Sequence, residues 1–174
     1  TARDFGNFVN FAISGRKFND LNGDGDDEGG ADPSQGGVTI YLDLDNSGTL
    51  TAGDVSTTSA AVTGAYSFTG LGPRATGYVV REETPASSTQ TAPVGGSYTV
   101  TATSGTDVTT RDFGNFVNFA ISGRKFDDLN GDGDDESGAD PGQGGVTIYL
   151  DLDNSGTLTW GDVSTTSAAG TGTY

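Results

Sequence analysis

The sequence predicts an all-β fold: a tandem of Greek-key β-sandwiches with about seven short strands per repeat. Three observations carry that expectation. Residues 1–66 and 109–174 align without a gap at an offset of 108. They differ at seven positions only: Ala2/Thr110, Asn19/Asp127, Gly29/Ser137, Ser34/Gly142, Ala52/Trp160, Val62/Gly170 and Ala65/Thr173. A period this long is a domain, not the turn of a solenoid. Apolar and polar residues alternate in short runs between Gly, Pro, Asn and Asp turns, and no stretch shows a helical period. Hydrophobic residues make up only 32% of the chain and Gly contributes 29 of 174 residues. That composition leaves a turn-rich β domain or a disordered linker, and the alternation selects the first.

Each element has its own signal. Residues 8–18 (FVNFAISGRKF) read as a long first strand. Residues 38–44 (VTIYLDL) follow, with Val38, Ile40, Leu42 and Leu44 on the core side and Thr39, Tyr41 and Asp43 opposite. Residues 55–61 make a weaker, polar strand. Residues 66–69 alternate aromatic and polar, and Gly70-Leu71-Gly72-Pro73 turns the chain. Strands over 78–83, 98–103 and 108–116 complete the repeat. The last runs into the next copy without a Pro/Ser-rich linker, which predicts a semi-rigid rod. The expected organisation is residues 1–7 as the last strand of a preceding repeat, 8–116 as a complete sandwich and 117–174 as the N-terminal part of a second. The second copy stops inside a pattern that the first continues. An excerpt of a longer array is therefore expected, its second sandwich completed by later strands of its own chain or by a neighbour.

Charge and composition exclude several function classes. The net charge is −16, from 24 acids and 8 bases. No basic patch exists to release counterions from nucleic acid, and contact with an anionic membrane is equally unexpected. Cys, His and Met are absent, so disulfides, thiolate chemistry and soft-metal ligation are excluded. Oxygen ligands remain, and they suit a hard cation.

The most specific chemical signal is residues 43–54 (DLDNSGTLTAGD), which fit the spacing of a twelve-position calcium loop. Asp43, Asp45, Ser47, Thr51 and Asp54 fill positions 1, 3, 5, 9 and 12, and Thr49 offers its carbonyl at position 7. Gly48 stands at the sharp turn. Strand alternation puts Asp43 and Asp45 together on the outer face, where they repel unless a cation lies between them. The second copy carries Asp151, Asp153, Ser155, Thr157, Thr159 and Asp162. A second loop begins at Asp20, with Asn22, Asp24, Asp26 and Glu28 following at ligand spacing. Ala31 occupies its twelfth position, so Asp32 is expected to close the site through a bulge. The equivalents are Asp128, Asn130, Asp132, Asp134, Glu136 and Asp140.

These residues also carry a family resemblance. The string ISGRKFNDLNGDG at 13–25 resembles the start of an SdrD B-like repeat of bacterial surface proteins. GVTIYLD at 37–43, GAYSFTGL at 64–71 and YVVRE at 78–82 follow the same pattern in order. The resemblance implies a prealbumin-like, Cna-B-related β-sandwich that binds Ca2+ and serves as an extracellular stalk or spacer, on the cell surface or secreted. Related Cna-B domains carry a Lys–Asn or Lys–Asp isopeptide cross-link with an acidic catalyst. Lys17 and Glu82 are the available candidates. The family's lysine sits two residues before an aromatic, a place held here by Arg16, so the spacing argues against the bond.

Rival functions lack support in the residues. No nucleophile is paired with a base, so no enzyme is expected. An adhesive module binding a host or glycan ligand would need exposed aromatics, and only Trp160 is conspicuous. A subunit of an extracellular filament or matrix fibre is the other alternative, since unpaired edges pair with neighbouring strands. Expected partners are neighbouring repeats of the same protein or identical chains in a fibre.

Overall fold

A computed structural model describes residues 3–135 and 137–174. The chain divides into two compact units, Thr1–Asn118 and Phe119–Tyr174. Among the described residues, all regular structure is β. Unit 1 holds β1 (Phe11–Asn19), β2 (Thr39–Asp43), β3 (Val55–Thr58), β4 (Ala65–Leu71), β5 (Tyr78–Glu82), β6 (Ser88–Ala92), β7 (Tyr98–Val100) and β8 (Phe113–Val117). They form two four-stranded sheets, ordered β4-β1-β8-β6 and β3-β2-β5-β7. The β1–β8 pair is parallel, with Lys17 opposite Phe113, Phe18 opposite Gly114 and Asn19 opposite Asn115. The other strand pairs are antiparallel.

The alternation seen in the sequence becomes the core. Tyr66 and Phe68 of β4, and Tyr78 and Val80 of β5, turn inward while their neighbours face outward. One apolar cluster joins Phe11, Ile13, Phe68 and Phe113 of the first sheet to Ile40, Leu42, Val80 and Val100 of the second. This two-sheet, β-sandwich-like packing withdraws about 1.5–3 kcal/mol of transfer free energy per large side chain from water. Phe11 meets Tyr78 edge-on at 5.9 Å, and Tyr98 meets Phe113 at 5.5 Å.

Several details depart from the sequence reading: the strand expected over 98–103 ends at Val100, the one expected over 108–116 begins at Phe113, and residues 3–7 form no strand. β6 was not expected, because STQTA has no apolar alternation; it forms because β8 supplies a pairing edge. The expected 55–61 strand ends at Thr58, where Ser59 turns its hydroxyl to the Gln35 carbonyl.

Unit 2 contains β9 (Thr147–Leu150) paired antiparallel with β10 (Val163–Thr166). Its 119–127 segment, nearly identical to β1, forms only isolated bridges at Arg124 and Phe126.

Candidate metal centre and a buried amine–acid–amide group

β2 delivers Asp43 at its C-terminal end, and the 43–54 loop then curls back over it. Gly48 has φ of 80°, a conformation that costs an L side chain energy. Backbone donors fix the acids. Asp43 accepts from Ser47 N–H at 3.0 Å and Gly48 N–H at 2.9 Å. Asp54 accepts from Leu44 N–H and Thr51 N–H, both at 2.7 Å. The Thr51 hydroxyl donates to Asp54 at 3.0 Å and Asp45 at 3.3 Å, and the Ser47 hydroxyl donates to the Thr49 carbonyl at 2.9 Å. The result brings carboxylate oxygens of Asp43, Asp45 and Asp54 within 4.8 Å of one another. Hydrogen bonds from Ser47 hold the Asp45 carboxyl below its ordinary pKa, and the Leu44 and Thr51 amides do the same for Asp54. Negative charge is thus concentrated in a preformed cup that could hold a metal ion.

The second copy reproduces the cup. Asp151, Asp153 and Asp162 converge within the same 4.8 Å. Ser155, Thr157 and Thr159 make the matching contacts, and Asp153 and Asp162 are likewise held below the ordinary range, by the Ser155 and Thr159 hydroxyls and by the Thr159 and Leu152 amides respectively. Trp160 stands beside this cup, fully exposed.

Asp43 does not share the open outer face expected of it. It is buried beneath Arg81 of β5, whose Nε lies 2.8 Å from Asp43 Oδ2. Sequence reasoning missed Arg81. Only the register reveals it, because Tyr41 pairs with Arg81 and Asp43 is the next residue on the same face.

The 20–32 loop is built differently. Asp20 is buried and accepts from Gly23 N–H at 2.6 Å and Gly25 N–H at 2.7 Å. Asp24 and Asp26 accept from backbone amides two residues on. The Asn22 amide donates to Asp24 and Glu28, both at 2.9 Å. Asp32 is buried with its Oδ2 unpartnered, and partial burial together with the negative charges of Asp32 and Asp24 pushes the Glu28 carboxyl upward. Among the described residues, however, three carboxylates converge within 4.8 Å only in the 43–54 loop and its copy. The sequence-predicted ligands Asp20, Asn22, Asp24, Asp26, Glu28 and Asp32 therefore do not form such a triad. In the copy, Asp128 accepts from Gly131 and Gly133, Asn130 donates to Asp132, and Asp132 accepts from Asp134 N–H. Asp140 again carries an unpartnered buried oxygen, and Glu136 lies outside the described residues.

A third group was argued against from spacing, and the structure assembles it. Arg16 turns outward to pair with Asp27 and to donate to the Asp32 carbonyl at 2.6 Å. Lys17 turns inward and is 0% exposed. Its Nζ donates to the Phe18 and Phe113 carbonyls at 2.9 and 3.1 Å and lies 3.7 Å from Glu82 Oε2. Glu82 arrives from the opposite sheet as the third inward residue of β5. Its Oε1 accepts from Asn115 Nδ2 at 2.7 Å, while Glu82 Oε2 and Asn115 Oδ1 have no hydrogen-bond partner. Burial lowers the Lys17 amine to about 8 and raises the Glu82 carboxyl. Both shifts favour neutral forms, a nucleophilic amine beside an acid that touches a carboxamide. The parallel register explains the meeting: Lys17 pairs with Phe113, so Asn115, two residues along, lies on the same inner face.

No protein-family model, curated protein or solved structure matches the chain. Among the described residues, no helix is long and apolar enough to cross a membrane.

Proposed function

We propose that this chain is a calcium-stabilised structural repeat of an extracellular bacterial surface protein, a non-enzymatic, SdrD B-like Greek-key sandwich serving as a semi-rigid stalk. The observation that carries this reading is the Asp43–Asp45–Asp54 cup and its copy at Asp151, Asp153 and Asp162. Three ionised carboxylates held this close repel one another, and a hard divalent cation relieves that repulsion through the oxygen ligands it prefers. Binding free energy then becomes folding free energy. Affinity on the order of 10⁻⁴–10⁻³ M is expected of an extracellular module. Thermal unfolding with calcium and with EDTA tests the reading. Calcium raises Tm and slows proteolysis; a melt indifferent to calcium rejects it.

A second reading concerns how such a stalk bears load, and the Lys17–Glu82–Asn115 group favours it. Lys17 Nζ attacks Asn115 Cγ, an amide C–N bond forms, the Cγ–Nδ2 bond breaks and ammonia leaves. Glu82, as a neutral carboxyl, gives its proton to the departing nitrogen and takes the amine's proton in its place. The product ties β1 to β8 covalently and replaces a buried ionisable amine with a neutral amide. Intact mass reads the outcome: the chain is lighter by one ammonia, and Glu82→Gln retains its full mass. A parent chain at full mass rejects the bond.

A further inference from the structure

The peptide bond between Asp32 and Pro33 lies between a desolvated carboxyl and a guanidinium. Asp32 is 6% exposed, and its Oδ2 has no hydrogen-bond partner among the described residues. Arg16 Nη2 donates to the Asp32 carbonyl oxygen at 2.6 Å and to Ser34 Oγ at 3.0 Å. Asp27 fixes the other end of the same guanidinium through Nη1. Pro33 is exposed, so water reaches the bond. Neither Asp32 nor Arg16 serves the 43–54 cup or the Lys17 group.

The second copy repeats the arrangement at Asp140 and Pro141. Arg124 Nη2 donates to the Asp140 carbonyl at 2.6 Å, and Asp135 fixes Nη1. Asp140 is 6% exposed with Oδ2 unpartnered, and Pro141 is exposed.

We propose that Asp32–Pro33 and Asp140–Pro141 are self-cleaving peptide bonds, each opened by its own aspartyl side chain while an arginine stabilises the oxyanion. Asp32 Oδ2 attacks the Asp32 carbonyl carbon, and the new C–O bond closes a cyclic anhydride. The attack is intramolecular, and the attacking oxygen gives up no hydrogen bond to make it. The carbonyl π electrons move onto the carbonyl oxygen, where Arg16 Nη2 meets the developing charge. They return as the C–N bond breaks, and the Pro33 nitrogen takes a proton from water. Water then opens the anhydride. Asp32 is left with two carboxyl groups and Pro33 with a free amino terminus; one water is consumed, and nothing is oxidised or reduced. The fold keeps the pieces together. Asn19 N–H donates to the Pro33 carbonyl at 2.8 Å and Gln35 N–H to the Lys17 carbonyl at 2.9 Å, so the nick stays silent until the chain unfolds. This goes beyond the calcium-stabilised stalk, because neither metal nor cross-link takes part.

Incubation of the full chain near neutral pH in EDTA, read by denaturing mass spectrometry, tests the proposal. Fragments ending at Asp32 or Asp140 and beginning at Pro33 or Pro141 are expected, complementary pairs summing to the parent plus one water. Their rate of appearance is independent of protein concentration. Hydroxylamine intercepts the anhydride and leaves a hydroxamate on Asp32. Arg16→Gln slows the first cleavage by about tenfold or more, since it removes the donor aimed at the oxyanion. Asp32→Glu keeps the charge but must close a larger ring, and slows it likewise. Cleavage at Asp140–Pro141 continues in both variants and serves as the internal reference. The parent in urea supplies the background rate of an unfolded Asp–Pro bond, and the folded chain exceeds it by about tenfold or more. A folded chain that stays whole, or is cut no faster than in urea, overturns the proposal. So does Asp32→Glu cut at the parent's rate, which would assign the nick to a contaminating protease.

Discussion

Asp43 shows how much one residue's neighbours decide. Its two oxygens accept from Ser47, Gly48 and Arg81, so one cation, the guanidinium, already sits at the mouth of the cup. Arg81→Leu therefore lowers stability in EDTA and tightens calcium binding several-fold, because the metal no longer shares Asp43 with a fixed positive charge. Isothermal titration alongside a melt checks both signs. Asp43→Asn with Asp45→Asn removes most of the calcium-dependent rise in unit 1, worth about 2.7 kcal/mol per site at a hundredfold excess over Kd. Trp160 is the only tryptophan and adjoins the second cup, so its emission reports Asp151, Asp153 and Asp162 separately. That signal persists in the double variant. Ligand spacing in the 43–54 loop was readable because loop ligands are local in sequence. Arg81 was not, because it reaches Asp43 from another strand.

At the scale of elements, close backbone approach decides which positions tolerate change. Gly64 has φ of 66°, and a Cβ there would lie 2.1 Å from the Lys17 carbonyl oxygen. Gly64→Val pushes against the β1 backbone and destabilises unit 1 by more than about 1 kcal/mol. A lower urea midpoint with an unchanged slope is the expected result. The same variant shifts Lys17 away from Asn115, and under the proposed cross-link it reduces the fraction of chain lighter by one ammonia. Strands β2, β4 and β5 were legible from alternation, since each buries one face. β6 was not, because its residues are polar and its place comes from pairing with β8. The meeting of Lys17 with Glu82 and Asn115 was not legible for a related reason. Spacing along one strand shows which residues share a face, but not what the opposite sheet presents to them.

Charge acts at the scale of the whole molecule. The net charge of −16 opposes compaction, and two calcium ions, one per carboxylate cup, would offset about four of those charges. The pH dependence follows from the carboxyls of Asp45, Asp54, Asp153 and Asp162, all held below their ordinary values. A depressed folded pKa means the unfolded chain takes up protons first. Their contribution is thus complete above about pH 4 and fades as pH falls through the folded values. Calcium protection disappears over the same range, since protonated carboxyls do not ligate. Melts from pH 7 to pH 3, each with calcium and with EDTA, should converge at the acid end.

Sequence alone determined the repeat, the all-β class, the alternating strands and the acid spacing of the 43–54 loop. Those properties are local: they depend on which residues lie within a few positions of each other. Tertiary structure decided the rest. It buried Lys17 between Glu82 and Asn115, placed Arg81 over Asp43 and brought three carboxylates together in the 43–54 loop but not in the 20–32 loop. The near-identical segments 11–19 and 119–127 make the reason plain. The first is a nine-residue strand, flanked by β4 and β8. The second forms two isolated bridges. A strand's hydrogen bonds are completed by its neighbours, so the same residues fold differently where those neighbours differ.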